Sequence, residues 1–205
     1  MIQIGTDAQE PTPCLVPKQF NSNISQYDHG EDRIRRFREV YDAENKRIIV
    51  FENPATFIVP GQKLHNYYFL YNKNITYTYN IVTHECTKST PSSPWREFSI
   101  PRDATFENEY TIGGQSEAFL AQEWSDRVPN KSTGRWIGVF TLNKCYPVSE
   151  VYIEGYDITH TTTTTFHDTV IGALNPADFI PPKECNDATV SVKPQHAPRL
   201  HHLRN

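Results

Sequence analysis

The chain has 205 residues and a formal net charge of -4. It is long enough for one domain with a real core, and its charge balance points away from nucleic acid. Aromatics reach 12%, charged residues only 21%, and 15 prolines punctuate the chain, a mixture that favours a β-rich domain. No apolar run approaches the roughly 18 residues of a membrane-spanning helix.

Residues 1–13 are proline-punctuated and read as an extended lead-in. They lack the charged start and apolar stretch of a signal peptide, which fits either a cytosolic protein or a processed form. Residues 33–41 and 46–52 are strand-like runs around a short polar loop containing Asp42 and Asn45, the pattern of a hairpin. Residues 74–81 alternate completely. Ile75, Tyr77, Tyr79 and Ile81 are expected on an apolar face, with Asn74, Thr76, Thr78 and Asn80 on a wet one. Residues 87–104 read as a loop rich in Ser, Thr and Pro.

The run TIGGQSEAFLAQEWSDR, residues 111–127, is open to several readings. Its Gly113-Gly114 pair lacks the remaining residues of a phosphate loop. Ser116 as a cap, Glu117 in the first turn and strong helix formers permit a helix. On a helix Glu123 and Asp126 share a face, but on a strand they point to opposite faces, so a paired-carboxylate glycosidase site requires the helix or a bend. The plain alternative is a strand entered by a glycine turn, with Trp124 in a core. Residues 136–142 alternate again, with Trp136, Gly138 and Phe140 on one face. Residues 151–158 and the threonine-rich 161–170 are further strand candidates. The end of the chain is polar and carries His196, His201 and His202, a pattern that fits a mobile tail better than a metal site.

Four cysteines, Cys14, Cys86, Cys145 and Cys185, are scattered and form no C-x-x-C pair. They suit disulfides or buried free thiols. Three N-x-S/T triplets, at Asn23, Asn74 and Asn130, tilt the balance to a secreted glycoprotein.

The segments PTPCLVPKQF, REVYDAENKRIIVFE, SSPWREFSIP, TFENEYTIGGQSEAFLAQEWSDR, RWIGVFTLNKCYPVSEVY and NPADFIPPKEC, in that order, closely resemble the ependymin-related proteins. The resemblance runs from about Pro13 to Cys185. It implies a mainly β, antiparallel fold of two curved sheets forming an open half-barrel, like bacterial lipoprotein-carrier proteins, with a deep apolar pocket. The domain is expected over residues 14–185, with 186–205 as a mobile tail. The resemblance makes EAFLAQEW a strand. It pairs Cys14 with Cys145 and Cys86 with Cys185, and a third family bridge is absent because Gly61 stands where one cysteine falls.

The resemblance also implies a homodimer, calcium, hydrophobic ligands such as fatty acids or lipids, and secretion with the lysosome as a second destination. By the alternation pattern, Tyr77, Tyr79, Ile81, Trp124, Trp136 and Phe140 are the pocket candidates. The alternative is an adhesion or matrix protein acting through calcium and self-association. No nucleophile elbow, H-E-x-x-H motif or Ser/His/Asp motif supports an enzyme. His160 and His167 as bases, or Glu123 in glycoside hydrolysis, are the weakest reading. Calcium ligands are unplaced, with Asp42, Glu44, Asn45, Glu107 and Glu109 as oxygen donors to consider.

Overall fold

The structure, a computed structural model, describes residues 11–53, 64–114, 116–126, 135–153, 161–172, 174–191, 197–198 and 200. Asn130, Gly61, His160, His196, His201 and His202 lie outside the described residues. The described residues form twelve strands: β1 (Gln19–Asp28), β2 (Arg33–Asp42), β3 (Arg47–Glu52), β4 (His65–Leu70), β5 (Ile75–Asn80), β6 (Cys86–Ser89), β7 (Thr105–Gly114), β8 (Glu117–Ser125), β9 (Arg135–Thr141), β10 (Pro147–Ile153), β11 (Thr161–Ile171) and β12 (Thr189–Val190).

They form one sheet, not two, in the order β12-β6-β5-β4-β3-β2-β1-β11-β10-β9-β8-β7. All neighbours are antiparallel except β12, which runs parallel to β6. The sheet is open and strongly curved. Phe98 makes ring contacts at 6.3 Å with Tyr41 on β2 and at 6.2 Å with Phe140 on β9. On a flat sheet those strands would stand about 19 Å apart, so one ring reaches both only because the sheet bends around it.

The hairpin of β2 and β3 closes through Asp42↔Arg47. Asp42 organises that turn. It accepts hydrogen bonds from Arg47 Nε at 2.7 Å, Asn45 Nδ2 at 2.8 Å and Gln19 Nε2 at 3.0 Å. Burial pulls its carboxyl upward, but these bonds outweigh burial and hold it below the ordinary carboxylate range. The run 111–127 is a hairpin and not a helix. Gly113, next to last in β7, has φ +105, and a Cβ there would stand 2.1 Å from the Glu117 carbonyl oxygen, so glycine is required. β8 follows, its helical propensity overridden by pairing with β7 and β9.

Each face of the sheet carries its own core. The inner core joins Phe20, Ile24, Phe37, Tyr41, Ile48, Val50, Tyr67, Phe69, Trp124, Trp136 and Phe140 with Phe98 and Ile100. The outer core joins Val40, Ile49, Tyr68, Leu70 and Tyr79 with Phe179, Cys185 and Ala188 of the C-terminal segment. Two disulfides, Cys14–Cys145 and Cys86–Cys185, are formed. Part of the span expected as a tail is built into the domain: Thr189 and Val190 pair with Thr87 and Lys88, and Ala197 and Leu200 pack against the inner core.

Candidate functional site

The inner face is the candidate site. Cross-strand register fixes what it presents. Arg35 on β2 stands opposite Gln26 on β1, which stands opposite Thr164 on β11, then Glu150 on β10, Gly138 on β9 and Trp124 on β8. One row of side chains therefore crosses six strands. Gly138 is needed in it, because a Cβ there would collide at 2.1 Å with the Trp136 ring. The indole lies over the glycine and donates Nε1–H to Glu150 Oε2 at 3.2 Å. Gln26 Nε2 donates to Thr164 Oγ1 at 3.2 Å, and Trp124 Nε1 donates to Gln122 Oε1 at 2.9 Å.

The same face buries ionisable groups. Arg35 lies 3.8 Å from Glu52, which also accepts the His65 backbone N–H at 2.9 Å. Burial pushes the Glu52 carboxyl up. Burial, with repulsion from Glu150, pushes Glu39 up to about 8. Thr76 Oγ1 and Thr162 Oγ1 are wholly buried and make no hydrogen bond among the described residues.

Among the described residues no second sheet covers this face. Its cover includes the irregular segment 90–104 that follows β6, together with Val16, Leu200 and the Cys14–Cys145 bridge. Phe98 stacks on Phe166 at 5.8 Å and meets Phe20 at 6.1 Å. Trp95 stacks on Tyr41 at 5.8 Å. The backbone N–H of Phe98 donates to Tyr41 Oη at 2.8 Å, and burial pushes the Tyr41 hydroxyl above its ordinary range.

The six pocket candidates split. Trp124, Trp136 and Phe140 belong to the inner core. Tyr77, Tyr79 and Ile81 belong to the outer one, beneath Phe179, Cys185 and Ala188. The expectation that they share a pocket is therefore corrected. So is the expected wet face of β5. Thr76 and Thr78 stand opposite Phe69 and Tyr67 and are buried more deeply than Ile75 and Tyr77. The alternation gave the correct parity, but a sheet with a core on each side has no wet face here.

Asn23 projects from the outer side of β1 and donates from Nδ2 to Asp168 at 3.1 Å. Asn74 is exposed in the left-handed conformation after a short 3-10 turn, Tyr71–Lys73. His167 is exposed. Glu123 and Asp126 meet on the outer side instead of the inner one. With Glu107, Ser125, Arg135, Ile137, Val151 and Ile153 they line an open groove of about 400 Å³. Tyr110 Oη donates to Glu123 at 2.8 Å, and Ser125 Oγ donates to Glu107.

Of the oxygen donors considered for calcium, Glu44 accepts a hydrogen bond from Gln19 Nε2 at 3.2 Å. Asp42 and Asn45 are spent within their own turn. Glu107 is bonded to Ser125, and Glu109 is exposed. Among the described residues no three His, Cys, Asp or Glu side chains converge to hold a metal. Nor is any described helix long and apolar enough to cross a membrane.

Fold and site together define a disulfide-bonded, one-sheet β protein whose inner face is closed by irregular chain. The sequence comparisons narrow the class. The Ependymin family model matches residues 51–185. Mammalian ependymin-related protein 1 of Rattus norvegicus is 34% identical over 178 residues, which cover 87% of this chain and 78% of that protein. The Mus musculus protein matches with the same identity and coverage. The chain belongs to the ependymin family. Among solved structures, an uncharacterized conserved protein from Thermus thermophilus aligns with a TM-score of 0.53 at 11% identity, over 86% of this chain and 91% of that one. That likeness concerns the fold alone. A LolA superfamily protein from Nitrosomonas europaea aligns at a TM-score of 0.36 and 8% identity, over 81% of this chain and 90% of that one, a likeness too loose to bear on function.

Proposed function

We propose that this protein is a secreted, non-enzymatic glycoprotein that binds fatty acids or lipids on the inner face of its sheet and works as a homodimer. The observation that carries the reading is the roof. A curved face of aromatic and aliphatic side chains is closed by an irregular segment that inserts Phe98 and Ile100 from above. An acyl chain can replace those side chains with apolar contacts of the same kind. Each methylene it buries contributes about 0.8 kcal/mol, and the chemistry requires no bond to be made or broken. The two disulfides and the exposed sequons at Asn23 and Asn74 accord with passage through an oxidising secretory route. Calcium rests on the family resemblance alone, and a calorimetric titration with calcium tests it.

The test of the main reading is native mass spectrometry of protein from a eukaryotic secretion host, followed by organic extraction. Co-purified lipid at defined stoichiometry is the expected result. A clean apo dimer that also takes up no added lipid would shift the assignment to adhesion through self-association. One feature favours that second reading: the β7–β8 hairpin leaves Phe119 and Leu120 43% and 46% exposed.

A further inference from the structure

The two ends of the strands differ in charge. The register brings the lead-in before β1 and the β2–β3, β4–β5, β7–β8 and β9–β10 turns to one end of the sheet. Trp95 and Phe98 lie over that end, in ring contact with Tyr71 and Tyr41. Its connections carry Lys18, Lys46, Lys73 and Lys144, all exposed, against Glu44, and an exposed Glu117 opens β8. The connections at the opposite end, 29–32, 53–64, 81–85, 126–134 and 154–160, carry six acids against three lysines and arginines by sequence. In the segment 90–104, which runs between the ends, Arg96 and Arg102 balance Glu97 and Asp103. The net charge of -4 is therefore unevenly placed, and an anionic surface attracts one end while it repels the other.

The lysine-bearing end also exposes large apolar side chains. Leu15 is 91% exposed, and Phe119 and Leu120, near the start of β8, are exposed by nearly half. Two bonds draw Leu15 and Leu120 to one region. Cys14 is bridged to Cys145 in the β9–β10 turn, and its Sγ accepts Gln122 Nε2 at 3.0 Å. Leu120 shares a face of β8 with Gln122, and its carbonyl accepts the Leu142 backbone N–H at 2.9 Å. Lys144 lies in that same turn. Apolar side chains beside lysines are the composition that settles into the boundary of a bilayer. Lys73 stands next to the sequon at Asn74, where a glycan would hold the β4–β5 turn off a surface, so the face is confined to the side of β8 and the β9–β10 turn.

We propose that this end of the sheet docks on the surface of an anionic lipid bilayer through Leu15, Phe119, Leu120, Lys18 and Lys144. The apolar side chains enter the headgroup boundary, where each gains by leaving water. The two ammonium groups meet lipid phosphates and carboxylates, and the acidic end points away from the membrane. Docked in this way, the molecule holds the segment 90–104 at the bilayer, so that lipid passes beneath Phe98 without crossing water. That last step rests on the reading that the inner face binds lipid, and it adds where the lipid enters.

Cosedimentation of the intact, disulfide-bonded protein with phosphatidylcholine vesicles, with and without phosphatidylserine, tests the proposal. The anionic vesicles should bind at least about tenfold more tightly than the neutral ones, and added salt should weaken them. Lys18→Gln with Lys144→Gln should weaken binding about tenfold or more. Lys63→Gln with Lys183→Gln removes the same charge elsewhere and should change it by less than about twofold. Phe119→Ser with Leu120→Ser should weaken binding about tenfold at an unchanged melting temperature. Equal losses in the two lysine pairs overturn the docking face. So does unchanged vesicle binding in the Phe119 and Leu120 variant, all the more if that variant splits a dimer, which would make the hairpin a contact between copies. Uptake of a fluorescent fatty acid from solution, followed alongside, keeps the two readings apart. Uptake without vesicle binding overturns the docking face and leaves the lipid reading standing, whereas vesicle binding without uptake supports the face and removes the lipid reading.

Discussion

The two faces of the sheet are closed by different devices. On the outer face the C-terminal segment is fixed to β2–β6 by the Cys86–Cys185 bridge, by Arg38 bonded to Asp178 at 2.9 Å, and by the Arg47 guanidinium 3.7 Å above the Phe179 ring. On the inner face the segment 90–104 carries no cysteine, and its contacts include ring packing and the Phe98-to-Tyr41 hydrogen bond. Both faces bury large aromatics. What separates them is directionality. A covalent bond and charged pairs specify one position, whereas ring contacts are satisfied by any apolar surface of suitable shape. The outer closure is covalent, and the proposed lipid site rests on the inner segment 90–104 being held without such a bond.

The largest effect that would break this contrast is loss of the outer bridge. Replacing Cys86 and Cys185 together by Ser opens a loop with a sequence separation of 99. The chain-entropy cost is on the order of 4–5 kcal/mol. Thermal denaturation should show the loss, and hydrogen exchange should rise first over residues 176–190. Next comes Phe98→Ala, which removes a buried ring from the inner roof at about 3 kcal/mol. Its melting temperature should fall, exchange over 176–190 should stay as in the parent, and lipid uptake in stopped flow should accelerate. Slower uptake would mean that the roof is scaffold.

An effect of intermediate size concerns pH. Glu39 is raised in the folded state to about 8 from 4.5, so the native protein holds this proton where the unfolded chain has released it. Its contribution to stability is fully present below the unfolded value and is lost as pH rises through the folded one. Urea denaturation at a series of pH values should therefore show stability falling between about 4.5 and 8, with a shallower slope in Glu39→Gln. The smallest effect is the coupling of Arg38 to Asp178. A double-mutant cycle should give about 0.5–1 kcal/mol, because the arginine is partly solvated.

Much of this architecture was legible in the sequence, for identifiable reasons. The β2–β3 hairpin was visible because a polar loop separates two strand-like runs. β9 and β11 showed through alternation and threonine content. The resemblance supplied the disulfide pairs, which spacing alone left open. β1 is not legible in the sequence, since its inward positions mix Phe20 and Ile24 with Ser22, Gln26 and Asp28 and so hide the period. The start of β10 was placed too late because Pro147 looks like a breaker, yet it stands opposite Phe140 at a register shift, where proline is tolerated.

The site was harder to read than the fold. Alternation in β5 says which residues share a face but not which face lies within. A clue was present in β4, where Tyr67, Tyr68, Phe69 and Leu70 form an unbroken apolar run. Such a run marks a strand buried on both sides, and its neighbour β5 shares that condition. Glu39 and Glu150 escaped notice because only cross-strand packing, never local sequence, puts a glutamate in an interior.

The sheet also ends differently at its two sides. One edge is the two-residue β12, whose chain is bridged to β6 through Cys185 and Cys86. The other is the ten-residue β7, which among the described residues has a neighbour on one side only. A two-residue edge offers little template for further pairing, while a ten-residue one offers a long row of backbone donors and acceptors. Among the described residues β7 is the one long open flank, so edge-to-edge growth lacks a matching second edge. Two copies that met symmetrically along β7 would consume both long flanks and stop, whereas a head-to-tail contact would need a second long edge.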